Sequence, residues 1–365
     1  MRTTTMMLVT ALLLAMLAAL AGCGDDNDGD PADPNVPHQN TALFHEPMGI
    51  TTDGTYLYVA DTFNHTIRKV TAATGATVTL AGAAGVDGSS DGTGAAASFN
   101  QPRSITLLGG QLYVADSINN TIRQVDPGSG AVTTLAGAAG VAGGDDGAGA
   151  AASFHFPNAI GTDGTDLYVA DTYASTVRKV TTAGVVTTVA GLLHQHGATD
   201  GVGENARFRH PSGIAVHDGY AYVSDTGNYT VRRIELATRT VTTWVGSAGD
   251  PGTADGAGSA ARFDQLYGLD TDGTTLFIAD AYGYTVRQAV LATAVVTTLA
   301  GLGGTSGSTD GVGDEARLYL PKSVVKLGGD LYIADSLNHA IRALDLATRQ
   351  VTLLVGTPGT IGTTD

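Results

Sequence analysis

An all-β fold, a six-bladed β-propeller built from four-stranded antiparallel blades, is predicted by three features of this 365-residue chain. A block seen at 102–137 as PRSITLLGGQLYVADSINNTIRQVDPGSGAVTTLAG returns six times, starting at Pro47, Pro102, Pro157, Pro211, Leu266 and Pro321, with spacings of 55, 55, 54, 55 and 55 residues. Each block divides into four short β-branched segments, and no segment carries the long 3.6-residue apolar stripe of a packed helix. Self-similarity at a fixed period means one supersecondary unit copied, each copy burying its apolar faces against its neighbours.

Within the block the strands are SITLL (104–108), QLYVAD (111–116), TIRQV (121–125) and AVTTLA (131–136). Gly109-Gly110, the stretch 117–120 and Asp126-Pro127-Gly128-Ser129-Gly130 punctuate them. Connections this short force neighbouring strands to run antiparallel, so one block is a four-stranded meander. Six such sheets set radially about an axis make a propeller.

Before the repeats come two segments of different character. Residues 1–22 hold Arg2, an apolar run over 6–20 and the ending Leu20-Ala21-Gly22, which is the composition of a signal peptide. The Leu-Ala-Gly-Cys sequence ending at Cys23 resembles the bacterial lipoprotein box, and that resemblance implies lipidation of Cys23 and a membrane anchor in a bacterial cell envelope, at an outer membrane or a periplasmic membrane face. The competing reading is an uncleaved apolar anchor, for which the run is short. Cys23 is the sole cysteine, so no disulfide forms within a monomer. Residues 23–40 carry Asp at 25, 26, 28, 30 and 33 and almost no apolar side chains; they read as a self-repelling tether. The propeller is expected over 41–365, as a monomer.

The consensus Pro-x-Gly/Ser-Ile, then Leu-Tyr-Val-Ala-Asp-Thr/Ser-x-Asn-x-Thr-Ile/Val-Arg, then Val-Thr-Thr-Leu-Ala-Gly resembles the NHL repeat, and the Asp-Gly-x-Gly…Phe-x-x-Pro joints between blocks are similar to those of NHL propellers. The resemblance implies a platform for proteins, peptides, RNA or other ligands, and in some members a lyase. Phe44-His45-Glu46-Pro47 supplies the last part of a joint whose first Asp is Asp365. The two ends of the propeller are therefore expected to meet, with complete first and sixth blades side by side and 41–44 as a latch.

Formal net charge is −16, which sets the protein against nucleic acid and anionic lipid as partners. A residue found in every copy belongs to the blade rather than to a single site. Asp61, Asp116, Asp171, Asp225, Asp280 and Asp335 end the second strands, and Arg68, Arg123, Arg178, Arg232, Arg287 and Arg342 follow seven residues later. The expectation is Asp carboxylates bonded to amides of the following loop and gripped by Arg forks. The joints read as a glycine turn and a short helical turn rather than calcium loops, since each has one consistent carboxylate.

Candidate sites lie where the copies differ. Residues flanking the first-strand proline should ring the channel mouth, and Glu46, Arg103, Asn158, His210, Tyr267 and Lys322 form its polar set. The loops after the repeated Asp bring Phe63, His65, Tyr173, Tyr229, Tyr282, Tyr284 and His339 to the same face. Aromatic side chains in such loops, where sheet packing does not require them, suit a protein, peptide or glycan partner. No catalytic residue or protein-held metal is assigned and no cofactor is expected. The alternative function is a metal-dependent hydrolase or lyase, lactonase-like or amidating-lyase-like, with an axial calcium or other divalent ion near Glu46, Asn158 and His210. His194-Gln195-His196 reads as an exposed loop far out in a joint.

Overall fold

The computed structural model describes residues 42–365; the signal segment, Cys23 and the tether lie outside the described residues. Six antiparallel sheets follow one another along the chain. The first consists of Pro47–Thr52, Tyr56–Asp61, Thr66–Thr71 and Thr77–Ala81. Each innermost strand, from Pro47–Thr52 through Pro102–Leu108, Pro157–Thr162, Pro211–His217 and Leu266–Thr271 to Pro321–Leu327, touches the innermost strands of both neighbouring blades, and the sixth touches the first. The six blades therefore close into a ring.

Five blades hold a strand that the sequence does not announce. Gly92–Thr93, Gly147–Ala148, Gly201–Val202, Gly256–Ala257 and Gly311–Val312 each pair with the outer edge of the blade that follows them. The joint thus caps an edge that would otherwise present unpaired backbone groups, and the expectation of four strands is corrected to five in these blades. Glycine is needed because a Cβ at Gly92 would sit 2.8 Å from the backbone of Ala96 in the ensuing turn.

The apolar core lies between blades. One cluster joins Tyr58, Ala60, Ile67 and Ala81 of the first blade to Ile105, Leu112 and Val114 of the second, with Phe99 from the joint wedged among them. Phe44, Phe99, Phe154, Phe208 and Phe263 repeat this plug with no exposed surface, and Leu318 takes the sixth position. Each such burial contributes roughly 2–3 kcal/mol. Trp244 is half-buried at the rim of one cluster, its ring 4.9 Å from that of Tyr222.

The chain ends meet at the last joint. Leu43 N donates to Thr364 O (3.1 Å), Gly362 N to Phe44 O (3.3 Å) and Asn64 Nδ2 to Gly362 O (2.6 Å). Arg68 bonds both Thr364 O and the Asp365 carboxylate at 2.8 Å. Among the described residues neither end of the propeller lends a whole strand to the other's blade.

Candidate functional site

The six buried arginines define what is structural on the loop-bearing face. Arg123, with no exposed side-chain surface, bonds Asp116 through Nη1 (2.9 Å) and Asp91 of the joint through Nη2 (2.9 Å). It also donates to Ser98 O and Ser90 O and stacks 5.2 Å from the Phe99 ring centre. The inner pair measures 2.9–3.3 Å in all six blades. Asp91, Asp146, Asp200, Asp255, Asp310 and Asp365 supply the outer carboxylates. The acid repeated in each joint is thereby engaged as an arginine partner.

The expected partner of the second-strand Asp needs correcting. Its Oδ1 accepts a backbone N–H from the preceding joint, that of His45, Asn100, His155, Arg209, Asp264 or Tyr319, at 2.7–2.8 Å, not from the following loop. Its Oδ2 takes the Arg and, in four blades, an Asn Nδ2 from Asn64, Asn119, Asn228 or Asn338. Burial pushes these carboxyls up. Asp116 stands at about 6 and Asp171 at about 7. Asp280 also reaches about 7. The higher two belong to the blades where Ala174 and Gly283 replace Asn, so one bond that stabilises the anion is missing.

Along the axis the first strands enclose a mouth, a neck and a lower chamber. The mouth has a volume of about 420 Å³ and is walled chiefly by the second to fifth blades, including Arg103, Asn158, His210, Tyr267, Tyr173 and Tyr229. A neck of about 20 Å³, room for about one water, lies between Met48, Arg103, Asn158, Tyr267 and Lys322. Below it a chamber of about 160 Å³ is bounded by all six first strands. Every residue before the first-strand proline, Leu266 included, has left-handed backbone, from Glu46 and Leu320 (φ 50°) to Phe156 (φ 62°). This conformation is strained for non-glycine residues.

Part of the loop set holds that strain in place. His65 Nδ1 accepts the N–H of Gln101 (3.1 Å), Asn120 Oδ1 that of Phe156 (2.8 Å) and His339 Nδ1 that of Glu46 (3.2 Å). His65 and His339 thus have a joint-bracing task. Phe63 packs beside His45, ring centres 5.3 Å apart. Tyr173 and Tyr282 are exposed, whereas Tyr229 and Tyr284 are half-buried. Of the thirteen candidates the structure gathers Arg103, Asn158, His210, Tyr267, Tyr173 and Tyr229 around one cavity, with Lys322 at its floor and Tyr282 within 5.3 Å of the Lys322 ammonium. Phe63, His65, Glu46, Tyr284 and His339 do not line it.

Cation–π and ring contacts run through this mouth in two groups. The Lys322 ammonium sits 3.3 Å from the Tyr267 ring centre, and the Arg103 guanidinium 4.7 Å from that of Phe156. Phe156 stacks on Tyr173 at 4.6 Å, and His210 meets Tyr173 edge-on at 5.9 Å. His196 lies 5.0 Å from His210, and His194 Nε2 is 3.1 Å from His155 Nδ1. The His-x-His segment therefore reaches the rim of the mouth instead of lying far from it. Burial lowers His210 and His155 below the usual imidazole range. Among the described residues no group of three or more His, Cys, Asp or Glu side chains is placed to hold a metal.

Two residues escape the sequence reading. Arg209 lines the mouth from two positions before its proline, one step outside the flanking pair. Asp270 faces the lower chamber where other blades carry Thr51, Thr106, Gly161, Ala215 and Val325. Burial pushes its carboxyl up to about 6 against the N–H of Lys326, 2.7 Å away. Asp270 could have been found by aligning the six first strands and asking for the odd charge.

Comparison with known proteins agrees with this architecture. The LVIVD repeat model matches residues 209–231. NHL repeat-containing protein 2 of Homo sapiens is 28% identical over 304 residues, covering 73% of this chain and 42% of the relative. Its Gallus gallus counterpart is 28% identical over 361 residues, covering 88% and 49%. The chain thus spans less than half the length of these curated relatives. Among solved structures, an auxiliary nutrient binding protein from Bacteroides thetaiotaomicron superposes with a TM-score of 0.61 at 17% identity, over 86% of this chain and 70% of that one. Virginiamycin B lyase from Staphylococcus aureus gives 0.53 at 13% identity, over 89% of each. At these identities the likeness is one of fold.

Proposed function

We propose, from the premise that this chain belongs to the NHL-repeat six-bladed β-propellers, that it is a binding platform displayed by a lipid anchor at Cys23 in a bacterial cell envelope. The observation that carries the binding role is the aromatic mouth of about 420 Å³, made from residues that differ between blades and stopped below by a neck too narrow for anything but water. Concave sites with aromatic walls and a few polar groups are where ligands bind. The nutrient-binding protein of the same fold is consistent with it.

The test replaces Tyr173, Tyr229, Tyr282 and Tyr284 together by Ser and measures capture of envelope glycans and peptides on immobilised protein. Capture should fall at least about tenfold, some 1.4 kcal/mol, with the melting temperature unchanged. Undiminished capture removes this face from the function. Cys23→Ser should release the protein from the membrane fraction; retention there would show that another element anchors it.

A further inference from the structure

We infer that the mouth is a site for an acidic sugar, its carboxylate taken between Arg103 and Lys322 and its ring laid against the Phe156, Tyr173 and Tyr267 side chains. This deepens the platform reading above and rests on it.

Two cations, Arg103 and Lys322, come together here on a chain of net charge −16. Neither Arg103 nor Lys322 forms an ion pair among the described residues. Arg103 spends one N–H on Gln101 Oε1 (3.0 Å) and meets no carboxylate at ion-pair distance. The Lys322 ammonium has a tyrosine face below it and the cavity before it. Glu46 is the acid that acts on both, from beyond ion-pair distance, and Arg103 works against the charge on Lys322. Burial, reinforced by Arg103, lowers Lys322 to about 7. Two half-buried, mutually repelling cations are costly without a counter-charge, and a guanidinium fork with free donors is shaped for a carboxylate.

The walls decide what bears that charge. Cation–π contacts and the Phe156–Tyr173 stack hold the rings in place, so they offer rigid faces whose negative quadrupole suits the C–H face of a sugar. A peptide laid along the sheet edges is disfavoured, because five of the six strands entering the mouth begin with proline and lack the N–H that strand addition uses. A bare phosphate would leave the aromatic walls unused.

The experiment is calorimetric titration of the full chain with trigalacturonate, the neutral trigalactose, inorganic phosphate and an acidic tripeptide. Trigalacturonate should bind at least about tenfold more tightly than trigalactose, and more weakly as salt rises. Its affinity should fall as pH rises from 6 to 8.5, since Lys322 then loses its proton while Arg103 keeps its charge; the other titratable groups facing the pair are Glu46, Tyr267, Tyr173 and Tyr282. Arg103→Gln and Lys322→Met should each weaken it about tenfold or more, and Lys322→Arg should restore binding and flatten the pH dependence; circular dichroism melts confirm folding. Equal affinity for the neutral sugar, preference for phosphate or peptide, no binding of trigalacturonate, or intact binding in Arg103→Gln would each overturn the inference. If the neutral sugar binds and the four-tyrosine variant loses it, the platform reading survives while acid recognition falls.

Discussion

Arg123 and Arg103 stand on the same blade and live under opposite conditions. The first is walled in by Asp116, Asp91, two carbonyls and the Phe99 ring, and five other blades repeat the arrangement. The second has one neutral hydrogen bond, an aromatic ring and no ion pair, and no other blade has its like. A paired buried charge holds blades to joints; an unpaired one at a cavity waits for a charge from outside. The repeat makes this distinction visible, because it supplies five internal controls for every position.

The largest effect should come from breaking the paired site. Arg123→Met leaves Asp116 buried with no cation and should cost about 3–5 kcal/mol in urea unfolding, whereas Arg103→Gln removes an unpaired, half-buried charge and should leave the unfolding midpoint unchanged or raised. Equal losses would mean that the mouth arginine is structural after all.

A middle-sized effect tests why the carboxyls differ between blades. Asn119→Ala removes one donor from Asp116 Oδ2 (2.7 Å) and should cost about 1–2 kcal/mol. It also makes the second blade resemble the third, whose Asp171 is pushed up to about 7. A carboxyl raised above its unfolded value contributes least stability when it must be ionised, so that contribution falls as pH climbs through the folded value. The variant should therefore lose more at pH 8 than at pH 5. A loss independent of pH would separate the Asn from the ionisation of Asp116.

The period, the four main strands of each blade, the Asp–Arg pairing and the meeting of the propeller's ends were legible because each is stated six times or by a joint cut in two. The fifth strand was not, since a Gly-Thr or Gly-Ala pair has no β signature and is made a strand by the edge it lands on. His65 and His339 stood out as chemically loaded, yet their acceptor task depends on a left-handed proline-preceding residue in the next blade, a tertiary relation that no local pattern carries. The residues flanking the first-strand prolines and Leu266, namely Arg103, Asn158, His210, Tyr267 and Lys322, do line the mouth or its neck. The proline-flanking rule missed Arg209 because the wall of the mouth extends one residue further than the frame used to search for it.

The smallest effect concerns whether the cut joint is equivalent to the intact ones. Asp91 Oδ1 accepts from Arg123 Nη2 and Thr134 Oγ1, both at 2.9 Å, and Asp365 Oδ1 accepts from Arg68 Nη2 and Thr79 Oγ1, both at 2.8 Å. These carboxylates are about half exposed, so each pair is worth about 1 kcal/mol or less. Asp91→Asn and Asp365→Asn should then shift the urea midpoint by similar amounts, and a much smaller shift for Asp365→Asn would mark the closure as looser than the other joints. The hydrogen bonds from Thr134 and Arg123, acting against partial burial, hold Asp91 below the usual carboxylate value. A lowered carboxyl stabilises the fold above its unfolded pKa and loses that contribution as pH falls through the folded value. The gap between the parent protein and Asp91→Asn should accordingly be full at pH 7 and close in acid, which a pair of urea titrations at the two pH values would decide.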